Sequence, residues 1–133
     1  MKRLKLVSAI VFSFFLALAA CKKNDGPTVS KEEVSGIYIG KYGNDDNSPS
    51  TFFSFNIKPD GTMQELNSSG LAIGNGTYTV SGNTFLASYH WTFPVNTFFT
   101  AKATYDPATK QLTGTWGWGS SENDGGKWYM KKQ

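Results

Sequence analysis

The side chains that could catalyse a reaction are few in this sequence. His90 is its one histidine, and it has the strand parity opposite to Tyr89 and Trp91, so we expect it to point outward or to lie at a rim. No nucleophile motif, glycine-rich phosphate loop or His-Glu-His metal spacing accompanies it. We therefore predict no enzyme, no catalytic residue and no cofactor.

Acidic residues gather in two segments that are rich in Asn, Gly and Ser. Asp45 and Asp46 lie in the first segment, and Glu122 and Asp124 lie in the last. Carboxylate oxygens are hard ligands that suit Ca²⁺, but turns also select Asp for backbone reasons alone. Two solvated turns are the favoured interpretation, and we predict no metal site.

Aromatic residues are the most informative group. The chain after Cys21 has 112 residues, and 17 of them are Phe, Tyr or Trp. Six aromatic residues have the inward strand parity near one common end of their strands, namely Tyr42, Phe53, Trp91, Phe99, Trp118 and Trp128. They form either an aromatic mouth that binds a ligand or, as the favoured alternative, part of a filled core.

The elements that position these residues are β-strands. From residue 35 onward, aromatic and β-branched stretches alternate with clusters of Gly, Asn, Asp, Pro and Ser, as in consecutive antiparallel strands. The eight predicted strands run over about 35–42, 51–58, 62–66, 72–80, 83–91, 97–105, 110–118 and 126–131. Because one face of each strand is apolar, we predict an all-β fold that closes into an eight-stranded antiparallel up-and-down barrel, with a two-sheet sandwich as the alternative.

The connections between the predicted strands fall into two sets. The second, fourth and sixth are compact turns, over 59–61, 81–83 and 106–109. The other four are longer, over 43–50, 67–71, 92–96 and 119–125. Since alternate connections of a meander share one end, we expect the four long loops at one rim, opposite to the end at which the chain enters strand one.

The N-terminus is typical of a secretion signal. Three basic residues, Lys2, Arg3 and Lys5, precede an apolar run over 6–20. The run ends in Leu18-Ala19-Ala20-Cys21, which resembles the bacterial lipobox, in which the cysteine sulfur carries a diacylglycerol. The predicted divisions are a lipoprotein signal peptide over 1–20, the lipidated Cys21 with a tether over 21–34, and the barrel over 35–133.

Ser30 and Glu33 have the spacing of a capping box, which predicts one helical turn before the first strand.

Removal of the signal peptide changes the charge balance. The whole chain has 13 Lys and Arg against 10 Asp and Glu, and three of the basic residues lie before Cys21. The remaining chain is formally neutral and has no arginine, so we predict no binding of nucleic acid, which requires a basic surface. An acylated Cys21 also leaves no thiol for a disulfide or a metal site.

Six short motifs follow one another along the predicted strands and turns. They are Gly36-Ile37-Tyr38-Ile39-Gly40, Asp60-Gly61-Thr62, Gly76-Thr77-Tyr78-Thr79-Val80-Ser81-Gly82, Tyr105-Asp106-Pro107-Ala108-Thr109, Leu112-Thr113-Gly114-Thr115-Trp116-Gly117 and Gly126-Lys127-Trp128-Tyr129-Met130. Their order and spacing resemble the small lipocalin-like lipoproteins common in Bacteroidota, most of which have no assigned biochemical activity. The resemblance implies a lipocalin-like barrel that is anchored in the cell envelope, and we expect an outer-membrane location.

Two functions fit these expectations. The first is a membrane-anchored, monomeric, non-enzymatic protein that binds a small apolar, amphiphilic or sugar-like ligand at the aromatic mouth. The alternative is a protein-interaction scaffold, such as an inhibitor or accessory factor of a cell-envelope hydrolase, in which the long loops contact the partner. The expected partners are thus the membrane, through the N-terminal lipid, and either a small molecule or an envelope protein.

Overall fold

The computed structural model describes residues 28–92 and 94–133, so the predicted signal peptide and Cys21 lie outside the described residues. The elements are α1 (Lys31–Val34), β1 (Gly36–Tyr42), β2 (Thr51–Ile57), β3 (Thr62–Leu66), β4 (Ala72–Ser81), β5 (Thr84–Trp91), β6 (Thr97–Asp106), β7 (Gln111–Trp118) and β8 (Gly126–Lys132). Every predicted strand boundary lies within one residue of the observed one. No helix in the described residues is long and apolar enough to cross a membrane.

The eight strands form one closed antiparallel barrel in sequence order, which confirms the predicted up-and-down topology. The barrel closes where β1 pairs with β8, from Tyr38 opposite Lys132 to Tyr42 opposite Trp128. Closure provides each strand with a neighbour on both sides, so the barrel has no free sheet edge. The two-sheet sandwich is therefore excluded.

The lower half of the barrel interior is filled with side chains. Inward residues alternate with outward Thr, Ser and Lys along the strands, and the inward set is almost fully buried. The largest fully buried side chains are Trp128, Tyr38, Tyr105, Phe55, Phe85, Ile57, Met63, Leu112, Met130 and Val34. This core lies between the three short turns and the middle of the strands.

The short turns at the lower end, which we call the base, are held by aspartate side chains. Asp60 Oδ1 accepts hydrogen bonds from the backbone N–H and the hydroxyl of Thr62. Asp106 accepts hydrogen bonds from the N–H of Ala108 and the hydroxyl of Thr109. These bonds lower the pKa of both carboxyl groups and define tight turns between neighbouring strands.

The segment before β1 closes the base of the barrel. Ser30 caps α1 by accepting the N–H of Glu33 at 3.1 Å, as the capping-box spacing predicts. Val34 is fully buried in the core, and Val29 is buried beside it. The Val29 N–H donates to the carbonyl of Gly82, in the β4–β5 turn, at 2.9 Å. Residues 29–34, which were predicted to belong to the tether, are thus part of the folded unit.

Because Val34 fills the base, its truncation should destabilise the barrel. We expect Val34→Ala to lower the free energy of unfolding by about 2 kcal/mol, through lost apolar burial and the cavity that remains. Chemical denaturation measures the effect. Ile37→Ala is the matched control, because Ile37 is nearly half exposed on the outer face and should change stability by less than about 0.5 kcal/mol. Equal stability losses in the two variants would contradict this role of Val34.

Candidate functional site

The upper end of the barrel, where the four long loops meet, encloses an open cavity of about 360 Å³. This volume lies within the usual range for small-molecule sites. The cavity is lined by Tyr42, Asn44, Asp45, Phe53, Glu65, Tyr89, Trp91, Phe99, Trp116, Trp118 and Gly125. We call this cavity the cup. The interior is therefore neither wholly filled nor wholly open, since a packed core lies beneath an accessible mouth.

One side of the cup is a row of aromatic rings from β5, β6 and β7. The ring centroids of Trp91 and Phe99 are 4.9 Å apart, and those of Phe99 and Trp118 are 5.2 Å apart. Trp118 contacts Trp116 edge to face at 5.3 Å. Because each ring contacts the next, the row is a continuous aromatic wall.

The wall continues across the closure of the barrel. Tyr42 on β1 contacts Trp116 at 5.7 Å and Phe53 on β2 at 5.3 Å, both edge to face. The Trp116 indole N–H donates to the carbonyl of Gly43 at 3.0 Å, which holds the ring against the first long loop. The aromatic wall therefore extends from β5 around the barrel to β2.

Glu65 on β3 lies between the two ends of this wall. It is 6% exposed and is the one buried residue of the described chain that carries an ionisable carboxyl group. Its Oε2 accepts a hydrogen bond from the Trp91 indole N–H at 2.7 Å. Burial raises the pKa of Glu65 from its usual 4.5 to about 7, against the smaller opposing effect of the Trp91 hydrogen bond.

A glycine allows Glu65 and Trp91 to meet. Gly74 on β4 is opposite Glu65 on one side and opposite Trp91 on the other. A Cβ atom at this position would lie 3.2 Å from Trp91 Cδ1 and 3.5 Å from Glu65 Cβ. The absence of a side chain at Gly74 thus leaves the space in which the indole reaches the carboxylate.

The structure brings together most of the aromatic residues that the sequence indicated. Five of the six line the cup: Tyr42, Phe53, Trp91, Phe99 and Trp118. Trp118 lies at the rim, where it is 53% exposed, whereas Phe53 and Phe99 are buried deeper in the wall.

Trp128 does not line the cup, and its predicted place at the mouth is corrected to one in the core. It is 1% exposed, and its indole N–H donates to the carbonyl of Thr115 at 2.7 Å. Its ring contacts Phe53 and Phe55 at 5.7 Å. These contacts hold the indole inside the core rather than at the rim.

Three important side chains of the cup, Trp116, Tyr89 and Glu65, were not predicted from the sequence. Trp116 has the same inward parity as Trp118, and Tyr89 has the same inward parity as Trp91. The alternation of the strands could therefore have indicated both. Glu65 shares the parity of Met63, but the β3–β4 register shifts between Glu65 and Leu66, and both residues are buried. A parity argument at this end of β3 is therefore ambiguous.

Of the residues of the acidic loops, Asp45 lines the cup, whereas Asp46, Glu122 and Asp124 do not, and neither does His90. The first and last long loops are neighbours, as the Asp45 N–H donates to the Gly125 carbonyl at 2.8 Å. Glu122 forms an ion pair with Lys102, and Asp124 accepts the N–H of Trp118. Within residues 28–92 and 94–133, no three His, Cys, Asp or Glu side chains are arranged to hold a metal ion. His90 packs beside Phe98, its partner on the adjacent strand, at 5.3 Å.

The raised pKa of Glu65 predicts a pH-dependent stability. Between about pH 4.5 and 7 the folded protein retains a proton that the unfolded chain has lost, so stability falls as pH rises through this range. The loss is on the order of 3 kcal/mol. Glu65→Gln keeps an acceptor for Trp91 but cannot ionise, and we expect it to remove this fall. Urea denaturation at pH 5 and pH 8 tests the expectation, and an equal loss in both proteins would contradict it.

No family model, curated protein or solved structure matches this chain.

Proposed function

We propose that this protein is a lipid-anchored, non-enzymatic binding protein that holds a small ligand in the cup. The observation that carries the proposal is the asymmetry of the barrel interior. The base is closed by Val29, Val34 and the packed core, while the opposite end is open and lined by aromatic rings. Aromatic walls provide a large contact area for an apolar, amphiphilic or sugar-like molecule.

Several groups in the cup support selective binding. Glu65, Tyr42 and Asn44, which carry a carboxyl, a hydroxyl and an amide group, line the cup among its rings. A few polar groups in a mostly apolar cavity are the arrangement by which small-molecule sites orient a ligand. No histidine, cysteine, serine or lysine from the described residues lines the cup.

The anchor is the second part of the proposal, and it rests on the lipobox resemblance around Cys21. Thr28, the first described residue, lies seven positions after this cysteine. The chain then reaches the barrel at its base, through Val29 and α1. A lipid on Cys21 would therefore attach the closed end to the membrane and leave the mouth of the cup directed away from it.

A specific observation also favours the alternative function, a scaffold that contacts an envelope protein. Leu71 and Val95, in the second and third long loops, are 65% and 66% exposed. Trp118 adds an exposed ring at the same rim. Exposed apolar side chains around a rim are typical of protein contacts. A scaffold would contact its partner through these loops and would not require an occupied cup.

Native mass spectrometry tests the binding function even while the ligand is unidentified. For the detergent-extracted protein from its own cell envelope, we expect a defined additional mass that is released on unfolding. Trp118→Ala should weaken the affinity about fivefold or more and so lower the fraction of protein that retains the ligand, because a lost aromatic contact costs roughly 1 kcal/mol or more. Phe52→Ala, on the outer face of β2, is the matched control and should keep the ligand. An empty native protein would contradict the binding function.

Metabolic labelling tests the anchor separately. We expect a fatty-acid analogue to be incorporated into the native protein, and expect Cys21→Ser to abolish the label because the acceptor sulfur is absent. Lys22→Ala, which leaves the cysteine in place, is the control. Equal labelling of native protein and Cys21→Ser would overturn the predicted lipidation while leaving the cup unaffected.

A further inference from the structure

We infer that the cup binds a small organic cation, an amine or quaternary ammonium compound, with Glu65 as the counter-ion. The inference rests on the proposed binding function and specifies the class of its ligand. It is carried by three features of the cup: the sign of its charges, the aromatic rings beside the carboxylate, and the oxygen of Glu65 that accepts no hydrogen bond.

The ionisable groups of the cup favour a positive ligand. Its two carboxyl groups are Glu65 in the wall and Asp45 at the rim. No Lys, Arg or His from the described part of the chain lines it. A fatty acid or a phosphate ester would place its negative group beside these carboxylates without a cation to balance it. A cation would instead be attracted into the cup, where apolar walls strengthen the field.

The aromatic wall fits the same class of ligand. Indole and phenol faces carry negative charge density and attract ammonium groups within about 6 Å, most strongly when the site excludes water. Trp91 donates its indole N–H to Glu65 and packs against Phe99, so the carboxylate lies beside two rings of the wall. Tyr42 and Trp118 line the same cavity. An ammonium group beside Glu65 would therefore contact the carboxylate and the rings together.

One oxygen of Glu65 remains available. Oε2 accepts the indole N–H of Trp91, whereas Oε1 receives no hydrogen bond from the described residues and is not among their fully buried atoms that lack a partner, so it still reaches solvent. A carboxylate removed from water without a positive partner is costly. No partner for this charge lies in the described cup, and a bound cation would supply one.

The pH dependence that we expect for cation binding follows from the titratable groups at and near Glu65. Tyr89 is buried beside it, and burial together with the Glu65 charge keeps the pKa of this phenol well above 10. Tyr42 and Asp45 line the cup from β1 and the first long loop. Glu65, with a pKa of about 7, changes charge near neutral pH. Because a cation binds the ionised carboxylate better, affinity should rise with pH and binding should release a proton.

The test compares three soluble benzyl compounds with the full-length protein in a non-ionic detergent, by tryptophan fluorescence titration. Benzyltrimethylammonium is a permanent cation, benzyl alcohol is neutral and benzoate is an anion, so none of the three changes charge between pH 5.5 and 8.5. We expect the cation to bind at pH 8.5 at least about tenfold more tightly than the other two, and at least about tenfold more tightly than at pH 5.5.

Two isosteric variants test whether the preference for the cation and its pH dependence come from Glu65. Glu65→Gln keeps the acceptor for Trp91, and we expect it to lose the pH dependence and the preference for the cation while its affinity for benzyl alcohol stays within about threefold. Asp46→Asn removes one charge from an exposed position in the first long loop and should behave like the native protein. Matching thermal unfolding curves at pH 5.5, where Glu65 is largely protonated, would show that both variants are folded.

Each contrary result has a distinct meaning. Equal affinity for the cation and benzyl alcohol at pH 8.5, or an unchanged pH dependence in Glu65→Gln, overturns the cation inference and leaves the binding function standing. Binding of benzoate as tight as that of the cation overturns it as well. Failure of all three compounds to bind, together with an empty native protein in the mass spectrum, overturns the inference and the proposed function alike.

Discussion

Closure of the sheet between β1 and β8 is the constraint on which the remaining structure depends. An eight-stranded barrel encloses little more space than its own inward side chains occupy. Whether the interior is solid or hollow at a given level is therefore decided by how the side chains at that level are arranged. In the lower half, Tyr38, Phe55 and Tyr105 fill the space. In the upper half, the Trp91 and Trp116 rings pack against Gly74 and Gly125, and an open cavity remains that the aromatic wall lines.

The fold was predictable because its signals are local and repeated. Apolar and polar residues alternate along each strand, and turn residues such as Asp60 and Asp106 interrupt the alternation at the base. Aromatic residues on the inward parity near one end of their strands likewise indicated most of the aromatic wall. Both arguments need only the two-residue period of a strand and the order of the hairpins.

The remaining features depend on tertiary contacts that have no local signal. Val29 and Val34 are two apolar residues in a polar segment, and their burial follows from the open base that only the closed barrel creates. Glu65 meets Trp91 through the gap at Gly74, which joins three strands. Trp128 is held in the core by the Thr115 carbonyl and by the rings of Phe53 and Phe55. The position of each of these side chains depends on residues that are distant in the sequence.

Near neutral pH, a buried Glu65 lowers the free energy of unfolding relative to an uncharged residue at the same position. The residue responsible for this loss lies at the cavity and not in the packed core. The core beneath contains tyrosines and apolar residues but no carboxyl group among the described residues. Such a distribution is common in binding proteins, in which a site retains groups that a purely structural interior would exclude. Apolar packing in the aromatic wall and at the closed base offsets this loss of stability.

The attachment of residues 29–34 to the base has a mechanical consequence. A force that pulls on the N-terminal segment acts first on Val29, on its hydrogen bond to Gly82 and on the buried Val34, before it reaches the ladder of β1. These contacts are few, so they should yield at a lower load than the closed sheet, and their release lengthens the segment that precedes β1. Under tension, residues 29–34 would then detach from the base and extend, while the strands of the barrel stay paired.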